Sequence, residues 1–177
     1  MVFREKADSV PRLHVRGAVL PDAETRSYWL ADGVISLEPD RGAQTVAAAW
    51  ILPGLVDAHC HIGLGPAGAV DATAAAAQAI ADRDAGSLLV RDAGSPADTR
   101  WIDGRDDLPK LIRAGRHIAR PRRYIKGYAR EIDPAGLAAE VVAQARNGDG
   151  WVKLIGDWID RAAGDLAPLW PSDIAQG

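Results

Sequence analysis

The chain has 177 residues, 47% of them hydrophobic and 25% charged, with 21 basic against 24 acidic side chains and a formal charge of -3. That balance suits a folded chain that buries one good core or a small domain with part of another, and it excludes disorder of the whole. No basic run carries interleaved aromatic residues, so no nucleic-acid partner is expected; the densest basic cluster, Arg120, Arg122 and Arg123 around Pro121, reads as a solvated loop.

Met1 to Ser9 is polar, carries both charge signs and lacks the apolar centre of a secretory signal. The longest apolar stretch, Val46 to Val56, is broken by Pro53 and Gly54 and falls short of the ~20 residues that cross a bilayer, so no membrane partner is expected. The single cysteine, Cys60, cannot form an internal disulfide, which suits a reducing compartment; the expectation is a cytoplasmic protein.

Residues 12 to 50 read as a small β module. Its strands are Leu13 to Val15, Tyr28 to Leu30 and Gly33 to Leu37, with turn signals at Pro21-Asp22, Asp32-Gly33 and Arg41-Gly42. After residue 50 the pattern becomes apolar strand, loop, helix, apolar strand, as in a parallel sheet covered by helices. Four strands are expected there: Ile51 to His61, Ser87 to Arg91, Lys110 to Arg113, and Trp151 to Ile155. An alanine-rich helix from about Ala72 to Asp84 follows the first, with Asp71 as N-cap and Gly86 near its end. Asp133-Pro134 opens a second helix, with Leu137, Val141 and Ala145 on one face and Asn147-Gly148 closing it in a left-handed turn. Gly156 to Gly177 reads as loop with a possible helix start at Ser172.

The strand Ile51 to His61 ends in two histidines at i, i+2, so both imidazoles are expected on one side, with Cys60 on the other. Neutral imidazole is a common ligand of zinc and related ions, and a pair at the carboxyl end of a strand is well placed to hold one. Asp57, in phase with the pair, is expected to accept a hydrogen bond and orient a ligand. By itself His-x-His is also what two turn histidines look like.

The surroundings carry more. Pro53-Gly-Leu-Val-Asp-Ala-His-Cys-His61 resembles the first-strand signature of the amidohydrolase superfamily. Gly86-Ser-Leu-Leu-Val-Arg-Asp-Ala-Gly94 resembles the second-strand segment of its branch of imidazolonepropionase-like enzymes and metal-dependent Xaa-Pro and Xaa-Arg/Lys dipeptidases. Arg113 to Arg116 is similar to the end of the third strand and Gly150 to Leu154 to the fourth. The resemblance implies an α/β fold: the first half of a TIM-type (β/α)8 barrel over residues 51–177, in four β/α units, preceded by a small β-strand module over 1–50 that is part of a composite β-sandwich. It also implies a hydrolase of carbon-nitrogen bonds, with dipeptides or cyclic amides as substrates and a divalent metal, Zn2+ first among candidates, that activates water.

On that resemblance His59, His61 and Lys153 are the metal-holding residues. Lys153 matches a fourth-strand lysine that many members carboxylate to bridge two ions, and flanking Val152 and Leu154 would leave it alone on the barrel interior. A lysine that caps a strand and reaches solvent is the plainer reading. Arg91 and Asp92 belong to a possible substrate loop, though an ion pair between loops would account for them as well. His117 reads as a loop histidine, and His14, in the β module, has no expected chemical role. The segment Ala119 to Tyr124 departs from the glycine- and histidine-rich stretch of some members, which leaves the substrate open.

A whole barrel needs eight strands and ~250 residues. The resemblance implies two later histidines, from the fifth and sixth strands, and an aspartate from the eighth that acts as general base. No histidine follows His117, and Asp157, Asp160, Asp165 and Asp173 come too soon after the fourth strand to be that aspartate. This chain alone is therefore expected to be inactive, its partner being the missing half of the barrel or a second copy. A non-catalytic barrel fragment that binds a metal or a partner chain is the alternative.

Overall fold

The structure, a computed structural model, describes residues 11–162 and 164–175. The polar start from Met1 to Ser9 lies outside the described residues. The fold is mixed α/β, with several small sheets and few helices. Among the described residues no helix is long and apolar enough to cross a membrane. Two compact units divide the chain, one ending at Pro53 and the other beginning at Gly54.

The first unit is one sheet. Its strands β1 (Leu13–Val19), β2 (Glu24–Ala31), β3 (Val34–Ser36) and β4 (Gln44–Ile51) lie in the order β3-β2-β1-β4. Asp32 and Gly33 both take positive φ, 50° and 76°, which is the twist a two-residue hairpin turn requires between β2 and β3. β4 runs parallel to β1 with a register shift between Arg16 and Ala18. Gly17 sits in that shift, where a Cβ would lie 2.5 Å from the Ala48 carbonyl oxygen. β4 escaped the sequence reading because its alanines are poor strand formers and hide its alternation.

The second unit holds a parallel sheet of β5 (Leu55–Cys60), β8 (Ser87–Asp92) and β9 (Lys110–Arg113), in that order. The expected single strand from Ile51 to His61 is cut: β4 ends at Ile51 and β5 starts at Leu55. Pro53 has no N–H to give a ladder, and Gly54 approaches Leu88 so closely that a Cβ would sit 2.5 Å from a Leu88 methyl. Two-residue strands β6 (Leu64–Gly65) and β7 (Gly68–Ala69) pair after β5. Then comes helix α1 (Ala72–Asp84), where the Asp71 carboxylate accepts a 2.8 Å hydrogen bond from the Ala74 N–H, a cap worth about 1 kcal/mol.

α1 covers one face of the sheet with Ala75 and Ala79, whose small side chains let it settle close to Val90 and Leu111. A 3-10 turn at Arg100–Gly104 adds Ile102 to the same core. Burying a side chain such as Val90 or Leu111 contributes roughly 1.5–3 kcal/mol. Alternate residues point the other way: Arg91 and Ile112 are exposed on the opposite face.

A second core gathers around β10 (His117–Ala119) and β11 (Ala129–Glu131), a parallel pair. Pro134–Gly136 forms a 3-10 turn and α2 (Leu137–Asn147) begins after it, so Asp133 makes no side-chain cap hydrogen bond, contrary to its expected role. Nor does Gly148 close α2 in a left-handed turn: its φ is -101°, and Gly150 takes the positive φ instead. Gly148 serves close approach, since a Cβ there would lie 2.6 Å from the Arg113 carbonyl oxygen.

The expected fourth strand, Trp151 to Ile155, forms no continuous ladder. It makes two isolated parallel bridges, Ala114 to Trp151 and Ile118 to Leu154. Its neighbour is interrupted, because β9 stops at Arg113 and β10 starts at His117, so one extended segment faces two short ones. Beyond it, the stretch expected as loop carries an antiparallel hairpin of β12 (Asp157–Asp160) and β13 (Asp165–Pro168), followed by α3 (Ser172–Ala175), which starts at the expected serine.

Candidate metal centre

Between Asp57 and Cys60 the β5 strand spends one more residue than β8 does: Asp57 pairs with Val90 but Cys60 with Asp92. Such a bulge re-aims side chains. Asp57 is consequently not in phase with the histidine pair; its carboxylate lies within 4.8 Å of the Cys60 sulfur and an Asp82 oxygen. It accepts a 2.9 Å hydrogen bond from the His59 N–H, so it holds the backbone of His59 rather than an imidazole. Cys60 faces α1 and donates to Asp82 at 3.3 Å, and burial together with that acid pushes its thiol up to about 12.

His59 and His61 stand with ring centroids 5.4 Å apart, edge to face. His61 Nδ1 lies 2.8 Å from the Gly94 carbonyl oxygen. A carbonyl can only accept, so Nδ1 carries the proton and Nε2 is left with its lone pair for another partner. The Lys153 amine donates to His59 Nε2 at 3.1 Å across 94 residues of sequence. Burial lowers the Lys153 pKa, which raises its share of neutral amine. His59, Lys153, Arg91, Asp92 and Trp151 line one cavity of about 370 Å³.

Arg91 and Asp92 are neighbours on opposite faces of β8, and the Arg113 charge on the next strand acts on Asp92. The Arg91 guanidinium stacks 3.6 Å above the Trp151 ring, inside the cavity. Asp92 is 2% exposed; burial raises its pKa to about 6, against the pull of the Gly94 and Ile62 N–H groups and the Arg113 charge. Its Oδ1 accepts the Gly94 N–H at 2.8 Å, fixing the loop that presents the Gly94 carbonyl to His61. Arg113, also buried, is held by Asp103 at 2.6 Å and Asp149 at 3.2 Å.

His117 is no loop histidine. It opens β10, is 1% exposed, and its ring lies 5.2 Å from that of His61. Burial above all, with repulsion from neighbouring cationic groups behind it, lowers its pKa to about 4, so it is neutral at pH 7. Tyr124 stacks edge-on to it at 5.7 Å, and Trp158 on Tyr124 at 5.0 Å. The signal for it was the apolar pair Ile118-Ala119 behind a short gap at Gly115, too brief to read as a strand. His14 lies in the first unit, stacked on Trp29 at 4.5 Å.

No family model matches the chain. It is 61% identical over 165 residues to uncharacterized proteins of Mycobacterium bovis and Mycobacterium tuberculosis, a match covering 92% of this chain and 45% of each of theirs. The chain thus spans under half the length of the curated relatives it matches. Among solved structures, molinate hydrolase superposes with a TM-score of 0.67 at 15% identity, over 95% of this chain and 50% of its own. A protein named as a prolidase of Bifidobacterium longum gives 0.64 at 16% identity, over 84% and 41%. The chain shares its fold with proteins named as hydrolases.

The donor set suits a divalent cation. Two imidazoles keep an Nε2 lone pair, one of them already accepting from a cation, and an amine with a lowered pKa stands beside them. A second group of possible donors, Asp57, Cys60 and Asp82, lies on the α1 side. Its thiol is held protonated, which opposes ligation there.

Proposed function

We propose that this chain carries the first part of a metal-dependent hydrolase site of the amidohydrolase type, acting on carbon-nitrogen bonds, with His59, His61 and Lys153 as the residues that hold the metal. The observation that carries the reading is the 3.1 Å contact between Lys153 and His59 in one cavity, made between segments far apart in sequence. The fold shared with molinate hydrolase and with a protein named as a prolidase supports it, as does the amidohydrolase-like run Pro53 to His61. On this reading residues 51–177 supply the first four β/α units of a TIM-type barrel.

A divalent ion such as Zn2+ held there would polarise the carbonyl of an amide and make water a better nucleophile near neutral pH. The chain's own residues prepare for it. Gly94 keeps the His61 proton on Nδ1, which leaves Nε2 as the basic atom of that imidazole. Burial keeps more of Lys153 neutral, the form whose nitrogen attacks carbon dioxide; the new N–C bond and loss of one proton give a carbamate with two oxygens to offer. Arg91, held flat on Trp151, supplies a positive charge in the same cavity, suited to an anionic group of the substrate. The remaining metal ligands and the general-base aspartate belong, in this proposal, to the part of the relatives that this chain does not span.

The test is hydrolysis of a panel of X-Pro dipeptides, N-acyl amino acids, lactams and molinate by a product of the relatives' full length, with zinc or manganese added. Chelator-sensitive turnover of one class, lost by at least about a hundredfold in His59→Ala and His61→Ala, is expected. Turnover that survives both substitutions would remove the reading.

A further inference from the structure

One carbonyl oxygen receives two imidazoles. Gly94 O lies 2.8 Å from His61 Nδ1 and 2.9 Å from His117 Nε2, and it has two lone pairs to accept both. Nothing in the hydrolytic reading uses His117, yet it is among the most deeply buried large side chains of the molecule. Its other nitrogen, Nδ1, is buried and without a partner among the described residues.

The backbone around Gly94 shows why a second donor matters. Gly94 takes φ +110°, where a Cβ would collide with the Gly115 carbonyl oxygen and lie 2.9 Å from His117 Cδ2, so the position admits only glycine. Glycine leaves the peptide plane that carries the acceptor free to swing. Asp92 fixes the Gly94 N–H, on the other peptide plane, and the Ala93 N–H is tied to the Cys60 carbonyl at 2.8 Å. The Gly94 carbonyl itself is fixed, among the described hydrogen bonds, by the two imidazoles. His117 is anchored independently of His61: Ile118 beside it exchanges backbone hydrogen bonds with Lys153 and Ile155 at 2.9 and 3.0 Å.

We propose that His117 is a positioning residue that grips the Gly94 carbonyl from a second side and thereby fixes the tautomer and aim of His61. The grip is a property of the chain without metal; that it serves to present His61 Nε2 to a metal rests on the reading above. The same contacts join the segment of Lys153 to His61, through β10 and Gly94, so both sides of the proposed centre are referred to one oxygen atom.

Nitrogen NMR of the imidazoles in the metal-free chain at neutral pH tests the grip. The proton is expected on Nδ1 of His61 and on Nε2 of His117. His117→Phe keeps a ring but removes the donor, and should turn His61 into a mixture of tautomers; His117→Gln, whose amide reaches the same oxygen, should restore the Nδ1 proton. Zinc competition against a chelator should then show binding about tenfold or more weaker for His117→Phe and near that of the unaltered chain for His117→Gln. His61 unchanged in His117→Phe, or as disordered in His117→Gln as in His117→Phe, would overturn the proposal. Should His117→Phe not fold, the unaltered chain and His117→Gln still decide, because an unprotonated Nδ1 on His61 in either one sinks it. Tautomers behaving as expected while no form binds zinc would uphold the grip and remove the metal reading instead.

Discussion

The His61 side of the candidate centre and the Lys153 side are built in different ways. Around His61, a bulged strand, a buried aspartate, a glycine that tolerates no side chain and a buried histidine close on a single loop, Asp92 to Gly94. Lys153 sits on a segment joined to its neighbours by two isolated bridges, flanked by the exposed side chains of Trp151 and Leu154. One side is fixed by buried polar contacts and the other by a few backbone bonds near solvent. A short-range motif can be held rigidly by its own surroundings, whereas a residue arriving from the far end of the unit depends on the weaker ladder that delivers it.

Two glycines should reveal the contrast most strongly. Gly94→Ala forces a Cβ into the Gly115 carbonyl at a positive φ, and is expected to cost about 3 kcal/mol or more. Gly156→Ala, three residues past Lys153, meets no atom within 4 Å and should stay within about 0.5 kcal/mol. Urea melts of the two variants measure both; equal losses would erase the distinction.

The buried titratable groups of the His61 side give the next largest effect, and they oppose each other. Asp92 has a folded pKa of about 6 against 3.8, so the folded chain binds the extra proton between those values, and stability falls as pH rises through that window. His117 drops from 6.5 to about 4, so the unfolded chain binds the extra proton there, and stability falls as pH drops through it. Each contributes up to about 3 kcal/mol, and the unaltered chain should be nearly flat across the window. Asp92→Asn should leave a chain that loses stability on acidification from 6.5 to about 4, and His117→Gln one that gains it. Denaturant midpoints followed against pH check the signs; parallel profiles for the two variants would contradict the assignment.

A smaller effect is expected at the Lys153 side. Trp151→Ala removes the ring under Arg91 and should cost about 1 kcal/mol. Hydrogen exchange should quicken at the Ile118 N–H, which is bonded to the Lys153 carbonyl, and stay unchanged at the Ala93 N–H, bonded to Cys60. Quickening at both would mean that the two sides open as one unit.

The same division governed what could be read beforehand. Helix α1 with its Asp71 cap, β9 and the bulk of β8 follow from local pattern: caps, alternation and flanking glycines are all written within a few residues. The bulge that turns Asp57 away from the His59 imidazole is not, because it depends on how β5 meets β8. β4 was hidden by alanines, and the β12–β13 hairpin by exposed Ile159 and Leu166, which give no sign of a buried face. Of the site, the histidine pair and Lys153 carry their own sequence signature. His117 does not, since its importance comes from sharing an oxygen with a residue 56 positions earlier, a relation that belongs to tertiary structure.

The most direct measurement is X-ray absorption at the zinc edge of the zinc-loaded chain, because two donor groups lie on opposite sides of β5. With the ion on His59 and His61, a nitrogen and oxygen shell at about 2.0 Å with the outer scattering of imidazole is expected, lost on His59→Ala and His61→Ala. A sulfur scatterer at about 2.3 Å, insensitive to those substitutions and removed by Cys60→Ser, would put the ion with Asp57, Cys60 and Asp82 and contradict that placement.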